Sequence, residues 1–167
     1  MRDDNSLTAE RVREVLRYDP DTGLFVWLAG QRAGRVAGCD NGDGYIFIRV
    51  DRHRLYAHRL AFFYMTGEWP SGVVDHKDRR PQNNTFTNLR VASHRENLFN
   101  RGATKANKCG LKGVSRHRRM WRATIKYSGK QIHLGMFITK ENAAEAYVSA
   151  ARRFHGAFAF HPPNTGG

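Results

Sequence analysis

The chain has little cysteine and no long hydrophobic run. It has 167 residues and only two cysteines, Cys39 and Cys109, which lie far apart and outside any CxxC pair. This spacing argues against a disulfide framework and against a cysteine-built zinc site. No apolar stretch approaches the roughly 18 residues of a membrane span, and no signal-peptide core follows Met1. These absences predict an intracellular, cytoplasmic protein with no membrane partner.

Acidic residues are scarce, above all in the last part of the chain. The 15 Asp and Glu are outnumbered by 28 Lys and Arg, which gives a formal net charge of +13. No acid occurs between Glu96 and Glu141, although apolar residues continue there. Such a stretch is typical of a folded surface that faces phosphates, because a carboxylate would repel them. Nucleic acid is therefore the leading partner, and the alternative is a basic protein that merely stays soluble.

The first part of the chain predicts an α+β fold around a small sheet. Thr8 is expected to cap a helix, and the apolar pattern of His58 to Thr66 predicts another, ended by Gly67. Val73 and Val74 begin a short strand that delivers Asp75 and His76 at its exit. A polar loop follows, then a helix with a Ser93/Glu96 capping box. Further strands are predicted at Leu24–Trp27 and Tyr45–Val50, with a hairpin turn at Asp51–Arg54.

The last part predicts a sheet covered by one helix. Met120 to Tyr127 and Gln131 to Leu134 alternate between apolar and polar residues, and Ser128-Gly129 joins them as a turn. Thr139 opens a helix whose apolar stripe can cover one face of that sheet. The other face is then left to Arg122, Thr124, Lys126, Gln131 and His133, which can enter a major groove. Trp121 is tempting as a base-stacking residue, but a place in the core is favoured.

Asp75 and His76 offer the two functions that phosphodiester hydrolysis needs. A base must activate water, and a divalent cation must stabilise charge on the phosphate and the departing 3′ oxygen. On a regular strand the two side chains would point to opposite sides, so an irregular strand end is expected to bring both to one site. For either residue taken alone, the alternative is a place in a hydrogen-bonded turn with no catalytic role.

The sequence here resembles the HNH endonucleases, particularly the phage and intron-encoded homing type. The resemblance is carried by HRLAFFYMTGEWP, VVDHKDRRPQNNTFTNLR and SHRENLFNR. The spacing of His76, Asn88 and Asn97 matches the His-Asn-Asn form of the family pattern. The family implies a ββα-metal core in which His76 is the general base and the carbonyl of Asn88 holds its imidazole. Asp75 and Asn97 would bind one Mg²⁺ or Mn²⁺ ion.

Several other polar residues surround this pattern. His58 is interpreted as a packing or strand-to-helix hydrogen-bonding residue, and His94 as a surface residue, so neither enters the metal site. Five arginines are plausible contacts to DNA phosphates: Arg79, Arg80, Arg90, Arg95 and Arg101.

The basic second part resembles the AP2/ERF DNA-binding domain. The resemblance is carried by GLKGVSRHRRMWRATIKY, IHLGMFITKENAAEAYVSAARRFHG and AFAF. It implies a three-stranded antiparallel sheet in the major groove with one helix behind it. Several positions differ from the plant members, so their target sequence is not transferred. The DNA-reading positions of the family fall at Lys112, Ser115, His117, Arg122, Thr124, Lys126, Gln131 and His133, and Arg116, Arg118 and Arg119 can add contacts from the first loop.

The sequence thus predicts a phage-type endonuclease acting on double-stranded DNA as a monomer or weak dimer in a phage or bacterial host. Residues 1–101 would form the HNH domain with its small N-terminal sheet, 102–112 a linker, and 113–160 the AP2-like domain. The main rival is a DNA-binding regulator with a degenerate nuclease core. An RNA-binding protein is a weaker rival, since no stacking motif of an RNA module is visible.

Overall fold

The chain divides into two compact units. A computed structural model describes residues 7–104 and 106–160. The first unit comprises residues 1–94 and the second comprises residues 95–167. The predicted domain limits, with a linker at 102–112, stay a prediction.

The first unit combines two helices with three small antiparallel sheets. The sheets pair β1 with β2, β4 with β3 and β5, and β6 with β7. The elements, in chain order, are α1 (Ala9–Val15), β1 (Leu16–Tyr18), β2 (Phe25–Trp27), β3 (Cys39–Asp40), β4 (Ile46–Val50), β5 (His53–Tyr56), α2 (Ala57–Thr66), β6 (Val73–His76) and β7 (Leu89–Ala92).

The ends of both helices follow from local chemistry. The Thr8 hydroxyl accepts a hydrogen bond from the backbone N–H of Arg11 and so caps α1. Helix α2 ends at Gly67, which adopts a left-handed conformation with φ of 78°. The predicted cap and the predicted stop are both confirmed.

A single hydrophobic core holds this unit together. Val12 of α1, Phe25 of β2, Ile48 of β4 and Leu60 of α2 are almost fully buried within it. Val74 of β6 belongs to the same core. The strand that carries Asp75 and His76 is therefore anchored by its apolar residue, which fixes where the two polar side chains emerge.

The strands differ from the prediction in two places. Residues 73 to 76 form one regular strand, so Asp75 and His76 lie in the ladder and not at an irregular exit. Residues 89 to 92, to which no strand was assigned, form β7 and pair with β6 as a hairpin. Leu16 follows the last residue of α1 directly and begins β1. Such short strands depend on a partner distant in sequence, which a local pattern does not show.

The second unit is a three-stranded antiparallel sheet with one long helix, as predicted. Strand β9 (Met120–Tyr127) lies between β8 (Val114–His117) and β10 (Lys130–Phe137). Helix α4 (Lys140–His155) is capped by the Thr139 hydroxyl, which accepts from the backbone N–H of Asn142. Helix α3 (His94–Asn100) begins at the last residue of the first unit.

The helix buries one face of that sheet. Ala123 and Ile125 of β9 are buried, and so are Ala143, Tyr147 and Ala151 of α4. Trp121 packs against the same core, which confirms its interpretation as a core residue. In the part of the chain that the structure describes, none of the helices is long and apolar enough to cross a membrane.

Candidate active site

The β6–β7 hairpin places Asp75 and His76 next to each other along one strand. Asp75 is paired with Arg90 and His76 with Leu89 in the ladder. Because successive side chains of a strand point to opposite faces, the two polar groups have different neighbours. Both are buried.

Asp75 forms an ion pair with Arg90. The Arg90 guanidinium donates through Nε at 2.9 Å and through Nη2 at 2.7 Å to Oδ2 of Asp75. Both side chains are largely shielded from solvent. Arg90 was predicted to contact DNA, whereas in this structure it balances the charge of a buried carboxylate.

His76 is held by Asn84. The Asn84 amide Nδ2 donates to the carbonyl of Gln82 at 3.2 Å, which identifies the other end of the amide as the oxygen. That oxygen, Oδ1, lies 3.1 Å from Nε2 of His76. Both side chains are buried, so water does not compete strongly for this bond.

Aromatic rings surround the imidazole of His76. The ring of His58 lies 5.0 Å away between centroids, and that of Tyr45 lies 6.2 Å away. Burial lowers the pKa of His58 to about 3, and the neighbouring His76 and Arg59 add to the effect. His58 is therefore a neutral packing residue, in agreement with its interpretation from the sequence.

The loop after β6 is organised by Asp78 and Asn88. Asn88 Nδ2 donates to Asp78 Oδ1 at 3.0 Å and to the carbonyl of Asn83 at 2.8 Å. Asn83 in turn donates to Asp78 Oδ2 at 2.7 Å. Burial raises the pKa of Asp78, but the hydrogen bonds from Arg80, Asn83 and Asn88 outweigh it and leave this pKa lowered. The carboxylate thus stays charged and fixes the loop.

The role predicted for Asn88 needs correction. Its side-chain carbonyl accepts from the backbone N–H of Asp78 at 3.0 Å, whereas the imidazole of His76 is contacted by Asn84. Asn88 closes the loop that carries Asn84. The Asn83-Asn84 pair indicates a turn in the sequence. The contact between Asn84 and His76 depends on how the loop folds back and could not be predicted from that pair.

Strand β1 and the turn after it pack against this loop. The Tyr18 hydroxyl donates to the Asn84 backbone carbonyl at 2.6 Å, and Phe86 N–H donates to the Pro20 carbonyl at 2.9 Å. At Gly23, with φ of +73°, an added Cβ would lie 2.4 Å from the carbonyl carbon of Asn84. Residues 18 to 23 therefore fix the position of Asn84.

The remaining predicted metal ligand is Asn97. It lies on α3 within the second unit and is half-buried. Residues 7–104 and 106–160 contain no cluster of three or more His, Cys, Asp or Glu side chains suited to a metal ion. The metal site predicted from the sequence has one carboxylate and one amide as its protein ligands, so it is not a cluster of this kind. The role of Asn97 as a metal ligand remains a prediction.

Two of the predicted phosphate contacts line a surface pocket. Arg79 and Arg80 border a cavity of about 490 Å³ together with Gly44, Pro81 and Gln82. Arg80 is exposed and Arg79 half-exposed. Most of its lining residues belong to the loop between β6 and β7, which also carries Asn84.

Arg95 and Arg101 belong to the second unit and are exposed. The Arg95 guanidinium lies 5.9 Å from the ring centroid of Phe99. Their predicted contacts to phosphates stay a prediction.

One face of the sheet in the second unit is basic and polar. Ser115 pairs with Arg122, Thr124 with His133, and Lys126 with Gln131, so these six side chains share one side. Four of the six are exposed: Arg122, Lys126, Gln131 and His133. The predicted separation of a basic face from an apolar one is confirmed. Arg116, His117, Arg118 and Arg119 are also exposed at the β8–β9 turn.

Lys112 makes hydrogen bonds within the fold. Its ammonium donates to the carbonyls of Leu98, Phe99 and Arg101 at 3.1, 2.7 and 2.6 Å. These are all the donors that a lysine has. In this structure Lys112 therefore satisfies carbonyls at and after the end of α3, and its contact to DNA stays a prediction.

Comparison with known proteins identifies the family. A family model described as HNH endonuclease matches residues 55–98, the segment with α2 and the β6–β7 hairpin. Protein 3.8 of Escherichia phage T7 is 40% identical over 116 residues, which make up 68% of this chain and 92% of the phage protein. The chain belongs to the HNH endonuclease family. It is accordingly a nuclease, and the predicted resemblance of its first part is confirmed.

Two further similarities complete the comparison. An uncharacterized HNH endonuclease, L560 of Acanthamoeba polyphaga mimivirus, is 32% identical over 114 residues, 67% of this HNH chain but 59% of the mimivirus protein. This chain thus spans less than two thirds of that relative. A solved structure of the HNH homing endonuclease I-HmuI, described for DNA binding and cleavage, covers 84% of both chains with 21% identity and a TM-score of 0.43.

Proposed function

We propose that this HNH nuclease is a divalent-metal-dependent DNA endonuclease of the homing or phage type, with His76 as general base. The observation that carries the proposal is the β6–β7 hairpin, which presents a buried imidazole and a buried carboxylate from adjacent residues. The nuclease would act inside a cell on double-stranded DNA, as a monomer or weak dimer.

The chemical groups of His76 and Asp75 suit an in-line displacement. In such a reaction the attacking water and the departing 3′ oxygen lie on opposite sides of phosphorus. A base is needed on the first side and a cation on the second. His76 is the group on β6 that can serve as the base, and Asp75, the residue before it, is the group that can hold the cation.

HNH nucleases generally use a divalent metal, and the residues present suit one. The buried carboxylate of Asp75 is a hard oxygen donor that here has Arg90 as its counter-charge, and a metal ion would share or replace that partner. Oxygen donors such as Asp75 and Asn97 favour a hard ion, Mg²⁺ or Mn²⁺, with water and phosphate in the remaining positions. When bound, this ion would stabilise the charge on the phosphate and the departing oxygen.

The basic sheet face of the second unit would anchor duplex DNA in the manner of an AP2 domain. An antiparallel sheet fits the major groove, and the exposed Arg122 and Lys126 can neutralise phosphates or contact base edges. Gln131 Nε2 donates to the Thr124 hydroxyl at 3.1 Å, which orders two neighbouring polar groups on this face. The absence of acids between Glu96 and Glu141 keeps it attractive to DNA.

Metal removal should abolish cutting but preserve binding. We expect supercoiled plasmid to be nicked or linearised in Mg²⁺ or Mn²⁺, and cutting to fall about 1,000-fold in EDTA, because the ion contributes several kcal/mol to the transition state. Returning Mg²⁺ in excess should restore it. Plasmid cutting is followed on agarose gels, and binding in EDTA by gel shift. Cutting that persists in EDTA would contradict metal dependence, and binding without cutting under any ion would favour the regulator.

Neutralising the sheet face should weaken DNA binding and its salt dependence. We expect Arg122→Gln with Lys126→Gln to raise Kd roughly 10- to 100-fold at physiological salt. The slope of log K against log salt should fall by about 2, since each phosphate contact contributes about 0.9. Fluorescence anisotropy with a labelled duplex measures both quantities.

The matched control removes two arginines from helix α4. Arg152 and Arg153 are exposed on the helix that covers the opposite face of the sheet. Arg152→Gln with Arg153→Gln makes the same change in net charge. An equal loss of affinity in this variant would show that net charge matters and that the sheet face is not the anchor.

A further inference from the structure

We propose that Asn84 is a positioning residue that fixes the tautomer of His76, so that Nδ1 is the nitrogen that accepts the proton of the attacking water. The inference rests on the proposed function, in which His76 is the base. It adds a residue outside the His-Asn-Asn pattern and assigns the reacting atom.

The direction of the hydrogen bond follows from the amide of Asn84. Because Nδ2 donates to the Gln82 carbonyl, Oδ1 faces the imidazole at 3.1 Å from Nε2. An amide oxygen only accepts, so Nε2 must carry the ring proton. In a neutral imidazole the other nitrogen, Nδ1, then has the lone pair and acts as the base.

Burial and two backbone contacts fix the position of Asn84. Only 3% of its surface is exposed. The Tyr18 hydroxyl holds its backbone carbonyl at 2.6 Å, and Gly23 packs against the same peptide group. With the backbone held, a flip of the side-chain amide would break its bond to the Gln82 carbonyl and turn its nitrogen toward His76, which would favour the opposite tautomer.

The proton and bond changes balance in this assignment. Nδ1 of His76 takes a proton from water while the water oxygen forms a bond to phosphorus. The bond from phosphorus to the 3′ oxygen breaks, and solvent protonates the departing oxygen. The resulting imidazolium keeps its proton on Nε2 and donates it in a hydrogen bond to the Asn84 oxygen, which stabilises the positive charge.

The tautomer can be measured in the metal-free, full-length protein without any cleavage. Long-range ¹H–¹⁵N correlation spectra of ¹⁵N-histidine protein, at a pH where the rings are neutral, distinguish protonated from unprotonated ring nitrogens. The His76→Gln variant assigns the resonances. We expect the wild-type His76 ring to carry its proton on Nε2. A proton on Nδ1 in the wild type overturns the proposal, even if no variant can be prepared.

Three variants distinguish the effect of the Asn84–His76 hydrogen bond on the tautomer from the effect of the loop as a whole. Asn84→Ala should give a mixture of tautomers and lower kcat roughly tenfold, which is the contribution of one net hydrogen bond. Asn84→Asp keeps an acceptor oxygen and should restore the Nε2 tautomer. Asn83→Ala removes the loop hydrogen bonds that the Asn83 side chain makes with Asp78 and Thr85, but none to His76, so it should leave the tautomer unchanged.

The outcomes distinguish this proposal from the proposed function. If Asn83→Ala shifts the tautomer as far as Asn84→Ala does, the loop as a whole sets it and the role of Asn84 is refuted. If the tautomers behave as expected but His76→Ala still cuts DNA, the assignment of Asn84 stands and the general base is wrong.

Discussion

Replacing His76 with alanine should reduce plasmid cutting by about 100- to 10,000-fold, the usual contribution of a positioned general base. DNA binding should stay close to that of the wild type, because the proposed anchor is the sheet face of the second unit. Single-turnover cleavage of a labelled duplex at saturating protein measures the chemical step, and gel shifts measure binding.

A surface histidine provides the control for this loss. His94 is exposed at the start of α3, and His94→Ala should cut at nearly the wild-type rate. Circular dichroism of both variants checks the fold, since His76 is buried among aromatic rings. Wild-type cutting by His76→Ala would remove this residue from the mechanism.

Replacing Arg90 with glutamine should destabilise the metal-free protein by about 3 to 5 kcal/mol, because the buried carboxylate of Asp75 loses its counter-charge. Added Mg²⁺ should recover part of this loss if Asp75 is a metal ligand, since the ion would take over the charge balance. Urea unfolding in EDTA, and then in Mg²⁺, measures both effects.

A double variant tests whether the ion pair is the cause. Asp75→Asn with Arg90→Gln removes both charges and should be considerably more stable than Arg90→Gln alone. Arg52→Gln changes an exposed arginine of the β4–β5 turn and should cost less than about 0.5 kcal/mol. A loss below 1 kcal/mol for Arg90→Gln would mean that water screens Asp75 well.

The sequence predicted the features that depend on neighbouring residues. The Thr8 cap, the stop at Gly67 and the alternation along β9 follow from chemistry within a few positions. The hairpin partner β7 was missed because residues 89 to 92 pair with a strand on the far side of a long loop. Local patterns hold no information on such pairings.

In the candidate site, too, residues were predictable from the sequence but their tertiary contacts were not. Asp75 and His76 were predicted from the chemistry of an adjacent carboxylate and imidazole and from the resemblance to HNH endonucleases, and the structure places them side by side on β6. The sequence could not identify Asn84 as the partner of His76, or Arg90 as that of Asp75, because both contacts arise from tertiary geometry. Lys112 was assigned to DNA by analogy, but its three donors are used within the fold.

The glycine at position 23 links two stretches of chain that are distant in sequence. One methyl group there would collide with the peptide of Asn84 and displace the loop that holds the imidazole. The imidazole of His76 would then lose its fixed neighbour although every residue around it is intact. If His76 is the base, as we propose, cutting depends on an atom that residue 23 lacks, and a relative with a larger residue there would need a rebuilt loop.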